Sequence, residues 1–168
     1  PFDTIQHGID ESIDGDSVLV AAGTYVENIN YNGKNISIIG EDRETTIIDA
    51  NGARHGVVID SSALLKSFTI QNASGGTNDL IAGGIVMGGN ATLDDLIVQN
   101  NQAGGDSEGL GFGGGVIVTG SGILKNSILR NSTGPSDHGE LCVANGTNEF
   151  YEDTVTVENC LITSFSQG

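Results

Sequence analysis

Short apolar runs separated by Gly- and Asn-bearing turns make up this chain, and one run recurs. Residues 93–100 read LDDLIVQN, and variants of this eight-position unit stand at 65–72 (LKSFTIQN), 124–131 (LKNSILRN) and 157–164 (VENCLITS). Positions 1, 4 and 6 are mostly apolar, position 2 is charged, position 3 is small or polar, and position 8 reads Asn, Asn, Asn, Ser. The starts lie 28, 31 and 33 residues apart (65 to 93, 93 to 124, 124 to 157). A self-similar period near 30 marks a solenoid, in which each repeat buries its apolar face against its neighbours.

A second run precedes the unit at constant distance: 57–59, 85–87 and 116–118 each begin eight residues before position 1. Turns such as Asn32-Gly33 and Asn51-Gly52 would serve antiparallel hairpins equally well. A fixed offset repeated in register, however, requires the same two strands and the same corner in every coil. With the strand at positions 4–6, each coil carries three short strands. Stacked about 4.8 Å apart, they predict an all-β, right-handed parallel β-helix of about six coils, on the order of 30 Å long. Earlier strands are expected at 18–20, 29–31, 36–39 and 46–49, with Gly23-Thr24-Tyr25 as a turn. The fourth copy, 141–143, is followed by an insertion at 145–153 that should protrude. Residues 3–14 read as a short helix: Asp3 or Thr4 can cap it, and Ile5, Ile9 and Ile13 share one face. It should cover the first coil, making 1–17 a capping segment and 18–168 the β-helix.

Composition changes this picture little. Gly contributes 26 of 168 residues and Pro 2, so glycine punctuates strands rather than marking low complexity. The formal net charge of −16 argues against nucleic acid and anionic membrane surfaces as partners and favours cation uptake. No apolar run reaches membrane-spanning length. The two cysteines, Cys142 and Cys160, allow one bridge, and Cys160, in the position 4 column, is expected to be a small buried hydrophobe.

The opening stretch, TIQHGIDESIDGDSVLVAAGTYVENINYNGKNISIIG, resembles the start of the pectate-lyase-like superfamily of right-handed β-helix proteins. The matching elements are Thr4-Ile5-Gln6, Gly15-Asp16, the strand at 18–20, Gly23-Thr24-Tyr25, Glu27-Asn28-Ile29 and Gly33-Lys34-Asn35-Ile36. The later Asn-bearing units are similar to that family's generic repeat, so the resemblance covers nearly the whole chain. It implies the fold and an extracellular setting. It implies no single activity, because members include lyases, hydrolases, esterases and non-catalytic surface proteins. Catalytic members set substrate grooves where loops rise from stacked strands, and carry a basic residue beside acidic calcium ligands or clustered Asp with Gly-His-Gly and Arg-Ile-Lys. Here Asp137-His138-Gly139 is only a fragment of such a set, and the six basic residues are scattered.

Column by column, the unit divides into roles. Position 8 stacks Asn72, Asn100 and Asn131, which suits an amide ladder and the strained backbone of a corner. Position 2 alternates Lys66, Asp94, Lys125 and Glu158, which predicts a surface ion-pair ladder. Position 5 reads Thr69, Ile97, Ile128 and Leu161 and points outward if positions 4 and 6 point in. That apolar stripe either lies under loops or docks another chain, and Ile97, Ile128 and Leu161 are its interface candidates. The loops after position 8, at 73–84, 101–115 and 132–140, leave one corner side by side. Asp79, Asp106 and Glu108 are the candidate ligands for calcium, the one cofactor expected. Asp137, His138 and Glu140 are the candidate acid and base residues, set against the plainer role of solvated acidic loops. Five Asn-x-Ser/Thr sequons stand at Asn35, Asn72, Asn90, Asn131 and Asn145; Asn72 and Asn131, as ladder members, are expected to stay bare.

These readings favour a secreted or cell-surface β-helix module without catalysis, with a structural, adhesive or self-assembling role. Its expected partners are a polysaccharide and a second copy of the chain, the latter through the last coil, which no amphipathic helix follows. The alternative is a polysaccharide lyase or glycoside hydrolase, or a fragment of one. An aromatic content of 5% offers little stacking surface for sugar and weighs toward the first reading.

Overall fold

The computed structural model describes residues 2–75, 83–104, 113–134, 139–143 and 154–163. Its paired strands run parallel and form three stacks. The first holds Ser17–Val20, Ser37–Gly40, the start of Leu64–Gln71, the start of Asn90–Gln99, Ser121–Lys125 and Val155–Glu158. The second holds Gly23–Val26, Thr46–Asp49, the far ends of Leu64–Gln71 and Asn90–Gln99, Ile128–Arg130 and Leu161–Thr163. The third holds Ile29–Asn30, His55–Ile59, Gly83–Met87, Val116–Val118 and Leu141–Val143. The chain visits these three faces in that order and returns to the first, which is the expected parallel β-helix.

The register is the one the repeat implies. Leu65, Leu93, Leu124 and Val157 are successive partners on face one, and Val57, Ile85 and Val116 on face three. Positions 1, 4 and 6 face inward: Leu65, Leu93, Leu124, Phe68, Leu96, Ile70, Val98 and Leu129 are fully buried. Each such side chain contributes roughly 1.5–3 kcal/mol of burial free energy, repeated coil after coil. Ser127 breaks the apolar column at position 4 without leaving a polar atom unpaired. Its hydroxyl accepts from Leu96 N–H at 3.0 Å and donates to Lys125 O at 2.7 Å.

Gly23-Thr24-Tyr25 is strand rather than turn. Gly23–Val26 pairs along its length with Thr46–Asp49, and Tyr25 packs its ring against the core. The helix covers Ile5–Glu11, shorter than expected, with Thr4 Oγ1 accepting from His7 N–H. Ile5 and Ile9 are buried, but Ile13 lies past the helix end and is 72% exposed. Two distant side chains complete the caps. The Glu27 carboxylate accepts from the Ile5 and Gln6 N–H groups at 2.9 and 3.0 Å. Lys34 Nζ donates to the carbonyls of Ile9, Asp10 and Ser12, each at 2.8 Å. Opposite charge at each helix end satisfies orphan backbone groups and opposes the dipole. The expected insertion at 145–153 lies outside the described residues.

Candidate functional site

Two rows of left-handed residues bracket face two. At position 8, Asn72, Asn100 and Asn131 have φ of 60°, 57° and 58°; at position 3, Ser67, Asp95, Asn126 and Asn159 have φ of 61°, 57°, 53° and 49°. Asn and Asp tolerate this region best among residues with a side chain, so both rows are corners written in sequence. The corner role expected of position 8 is therefore present. The amide ladder runs mainly at position 3: Asn159 Nδ2 donates to Asn126 Oδ1 at 2.9 Å, and Asn126 Nδ2 to Asp94 Oδ1 at 2.8 Å. Asn72 instead donates to Asp49. Asn101, one residue past the position 8 corner, is buried and fastens the preceding coil, accepting from Ala73 N–H and donating to Ile70 O.

Between the corners, position 7 forms an outward polar row in register: Asp49, Gln71, Gln99 and Arg130. Gln71 Nε2 donates to Asp49 Oδ2 at 3.1 Å, and Gln99 Nε2 donates to Gln71 Oε1 at 3.1 Å. Arg130 donates through Nε and Nη2 to Gln99 Oε1 at 3.0 and 2.8 Å. Partial burial raises the Asp49 carboxyl, but donation from Gln71, Asn51 N–H and Asn72 outweighs it and leaves the group below the usual carboxylate range. Asp49 thus stays ionised at one end, and Arg130 carries the cation at the other. The signal for this row was present in sequence as Gln, Gln and Arg at position 7. Assigning only positions 4 to 6 to faces passed over it.

The apolar stripe at position 5 differs from its expected exposure. Ile97 is 2% exposed, Ile128 is half-buried, and Leu161 is open at 57%. The loop after Ser37–Gly40 lies against the Thr69 end of the stripe. Thr69 Oγ1 donates to Arg43 O at 2.7 Å, and the Arg43 guanidinium reaches Asp95 Oδ1 at 3.2 Å and Asn126 O at 3.1 Å. Arg43 therefore lies across several coils and ends at a hollow of about 320 Å³ floored by Ile128 and Leu161. Of the three interface candidates, only Ile128 and Leu161 retain accessible surface.

On face one, the alternating charges gather on one carboxylate. Lys66 and Lys125 both approach Asp94 Oδ2, at 3.6 and 3.8 Å, while the Asp94 side chain is only 12% exposed. The expected surface ladder is thus a half-buried hub with lysine arms. Register continues from Lys125 to Glu158.

Asp79, Asp106, Glu108, Asp137 and His138 lie outside the described residues. Glu140 is described and is not a loop carboxylate facing solvent, being 2% exposed at the far end of the corner. Its Oε1 accepts from Ser132 N–H at 2.8 Å, whereas Oε2 has no hydrogen-bond partner among the described residues. Burial pushes its carboxyl up, against donation from Ser132. Among the described residues no three His, Cys, Asp or Glu side chains gather to hold a metal. Both cysteines are free thiols; Cys142 is buried, and Cys160 only partly.

No family model matches this chain, and no curated protein matches it. Among solved structures, it is similar to a pectin methylesterase mutant crystallised with a hexasaccharide, at 18% identity and a TM-score of 0.58. The alignment covers 97% of this chain and 63% of that one. The likeness shows the parallel β-helix fold.

Proposed function

We propose that this chain is an extracellular β-helix module that binds a polysaccharide along face two without transforming it. The observation that carries this reading is the hydrogen-bonded row Asp49–Gln71–Gln99–Arg130. Carboxylate, amides and guanidinium together offer the donors and acceptors that sugar hydroxyls require. Successive rungs sit about 4.8 Å apart, so one extended glycan can meet several of them. Among the described residues this row contains one carboxylate, Asp49, tied by three N–H donors. Glycoside hydrolysis ordinarily uses two carboxyl groups across the bond, one of them protonated. The row therefore suits recognition better than acid and base chemistry.

A second reading, a polysaccharide-active enzyme, is favoured by one observation: the similar structure is that of an enzyme in complex with an oligosaccharide. Its catalytic groups would come from Asp137 and His138, and Asp79, Asp106 and Glu108 would supply calcium ligands. Screening immobilised glycans for binding, with reducing-end, unsaturated-product and methanol-release assays on the same set, separates the two. Retention of a glycan without product supports the module. Product formation abolished by Asp137→Asn would establish the enzyme.

Self-association belongs to the same proposal. Val157 and Ile162 are 44% and 41% exposed, although their column partners Leu124 and Leu129 are fully buried. A second copy stacked on this layer would return them to the interior.

A further inference from the structure

We propose that Asn90 accepts an N-linked glycan and that the first sugar rests in the trough beside it on face one. Asn-x-Ser/Thr is the acceptor sequence for this modification, and the fold treats its copies differently. Asn35 has both amide atoms engaged: Nδ2 donates to Asp14 Oδ2, and Oδ1 accepts from Ser62 N–H, each at 3.0 Å. Asn72 is turned into a left-handed corner with its amide on Asp49. Asn131 occupies the equivalent corner, and the next residue, Ser132, is buried with its N–H held by Glu140. Asn145 lies outside the described residues.

Asn90 alone among the described sequons opens a strand, Asn90–Gln99, in extended backbone, is exposed, and has a side-chain amide with no hydrogen bond among the described residues. Ala91 between them is fully buried. Alternation therefore turns Asn90 and the hydroxyl-bearing Thr92 to the same outer side. The adjoining trough is a second, independent observation. It has a volume of about 410 Å³ and is lined by Ser37, Ser62, Leu64 and Thr92 together with the charged groups Lys66, Asp94 and Lys125 of the hub. Ser and Thr hydroxyls with the charged groups can hydrogen-bond a sugar's polar edge, and Leu64 offers apolar surface for an acetyl methyl.

In the transfer, the Asn90 amide nitrogen bonds to the anomeric carbon of a lipid-pyrophosphate oligosaccharide donor. The lipid pyrophosphate leaves, and the nitrogen loses one proton. The glycan stands on face one and leaves the face-two row clear. The proposal shares the extracellular setting of the proposed function but not its ligand.

The test is to secrete the whole chain from a glycosylating eukaryotic host and map occupancy by peptide mass spectrometry. The expected result is a glycan on Asn90, none on Asn35 or Asn72, and loss of the Asn90 glycan in Thr92→Ala with an unchanged circular dichroism spectrum. A secreted, folded chain with bare Asn90, or with Asn35 or Asn72 occupied instead, would overturn the assignment. Peptide N-glycanase should release the Asn90 glycan slowly from the folded chain and fully after denaturation. Equal release from both would overturn the placement in the trough. Failure of glycan binding on face two would leave either result untouched.

Discussion

Neutralising the Asp94 carboxylate leaves Lys66 and Lys125 facing each other with no counter-charge between them, and takes the charged acceptor from Asn126. Hydrogen bonds to charged groups are worth about 1.5–3 kcal/mol, so Asp94→Asn should lower stability by about that amount in urea denaturation. Lys66→Met or Lys125→Met should each cost about 1 kcal/mol or less, because both side chains are more than a third exposed and solvent screens them. Equal effects from all three would contradict the hub. Glu140 makes a prediction of opposite sign to most carboxylates. Its folded pKa is raised, so its contribution is fully present below the unfolded value and is lost as pH rises through the folded value. Glu140→Gln keeps an acceptor for Ser132 N–H and cannot ionise. The variant should therefore gain on wild type as pH increases through that window, read as the difference in urea midpoints. A constant difference would show that folding does not shift the Glu140 carboxyl.

At the level of elements, the corners decide what sequence could reveal. The eight-residue unit made the inward columns and the register legible, because burial at positions 1, 4 and 6 acts through side-chain type alone. Position 3 was legible only as small or polar. Its left-handed backbone links Ser67, Asp95, Asn126 and Asn159, residues that share permissive chemistry rather than one identity. Long-range contacts were not legible. Arg43 reaches Asn126 across the coils, and no local pattern announces that contact. Nor does local pattern show that Glu140 turns inward rather than joining the acidic loops. Asn126 allows a direct test of the corner. Asn126→Gly loses the bonds to Asp94 and Asn159 but keeps the backbone at ease. Asn126→Ala loses both, adding about 1–2 kcal/mol of left-handed strain. Alanine should therefore be the less stable variant in thermal denaturation; the reverse order would contradict a corner role for this residue.

For the whole molecule, 22 acidic residues against 6 basic ones make self-repulsion a general cost of the compact state. Screening weakens the Asp94 hub too, but that is a local loss set against a net charge of −16. Thermal midpoints should rise between low salt and about 1 M salt, where the Debye length shrinks to about 3 Å. A fall would mean that ion pairs outweigh repulsion. The molecule's proposed role rests on face two, and calorimetric titration with a bound oligosaccharide tests it most directly. Gln71→Ala and Gln99→Ala each remove a rung, and a neutral hydrogen bond contributes about 0.5–1.5 kcal/mol. Each variant should therefore weaken binding by roughly two- to tenfold by that measure, while Lys66→Met on face one leaves it unchanged. Wild-type affinity in both glutamine variants, or loss of affinity in Lys66→Met alone, would contradict glycan binding along the Asp49–Arg130 row.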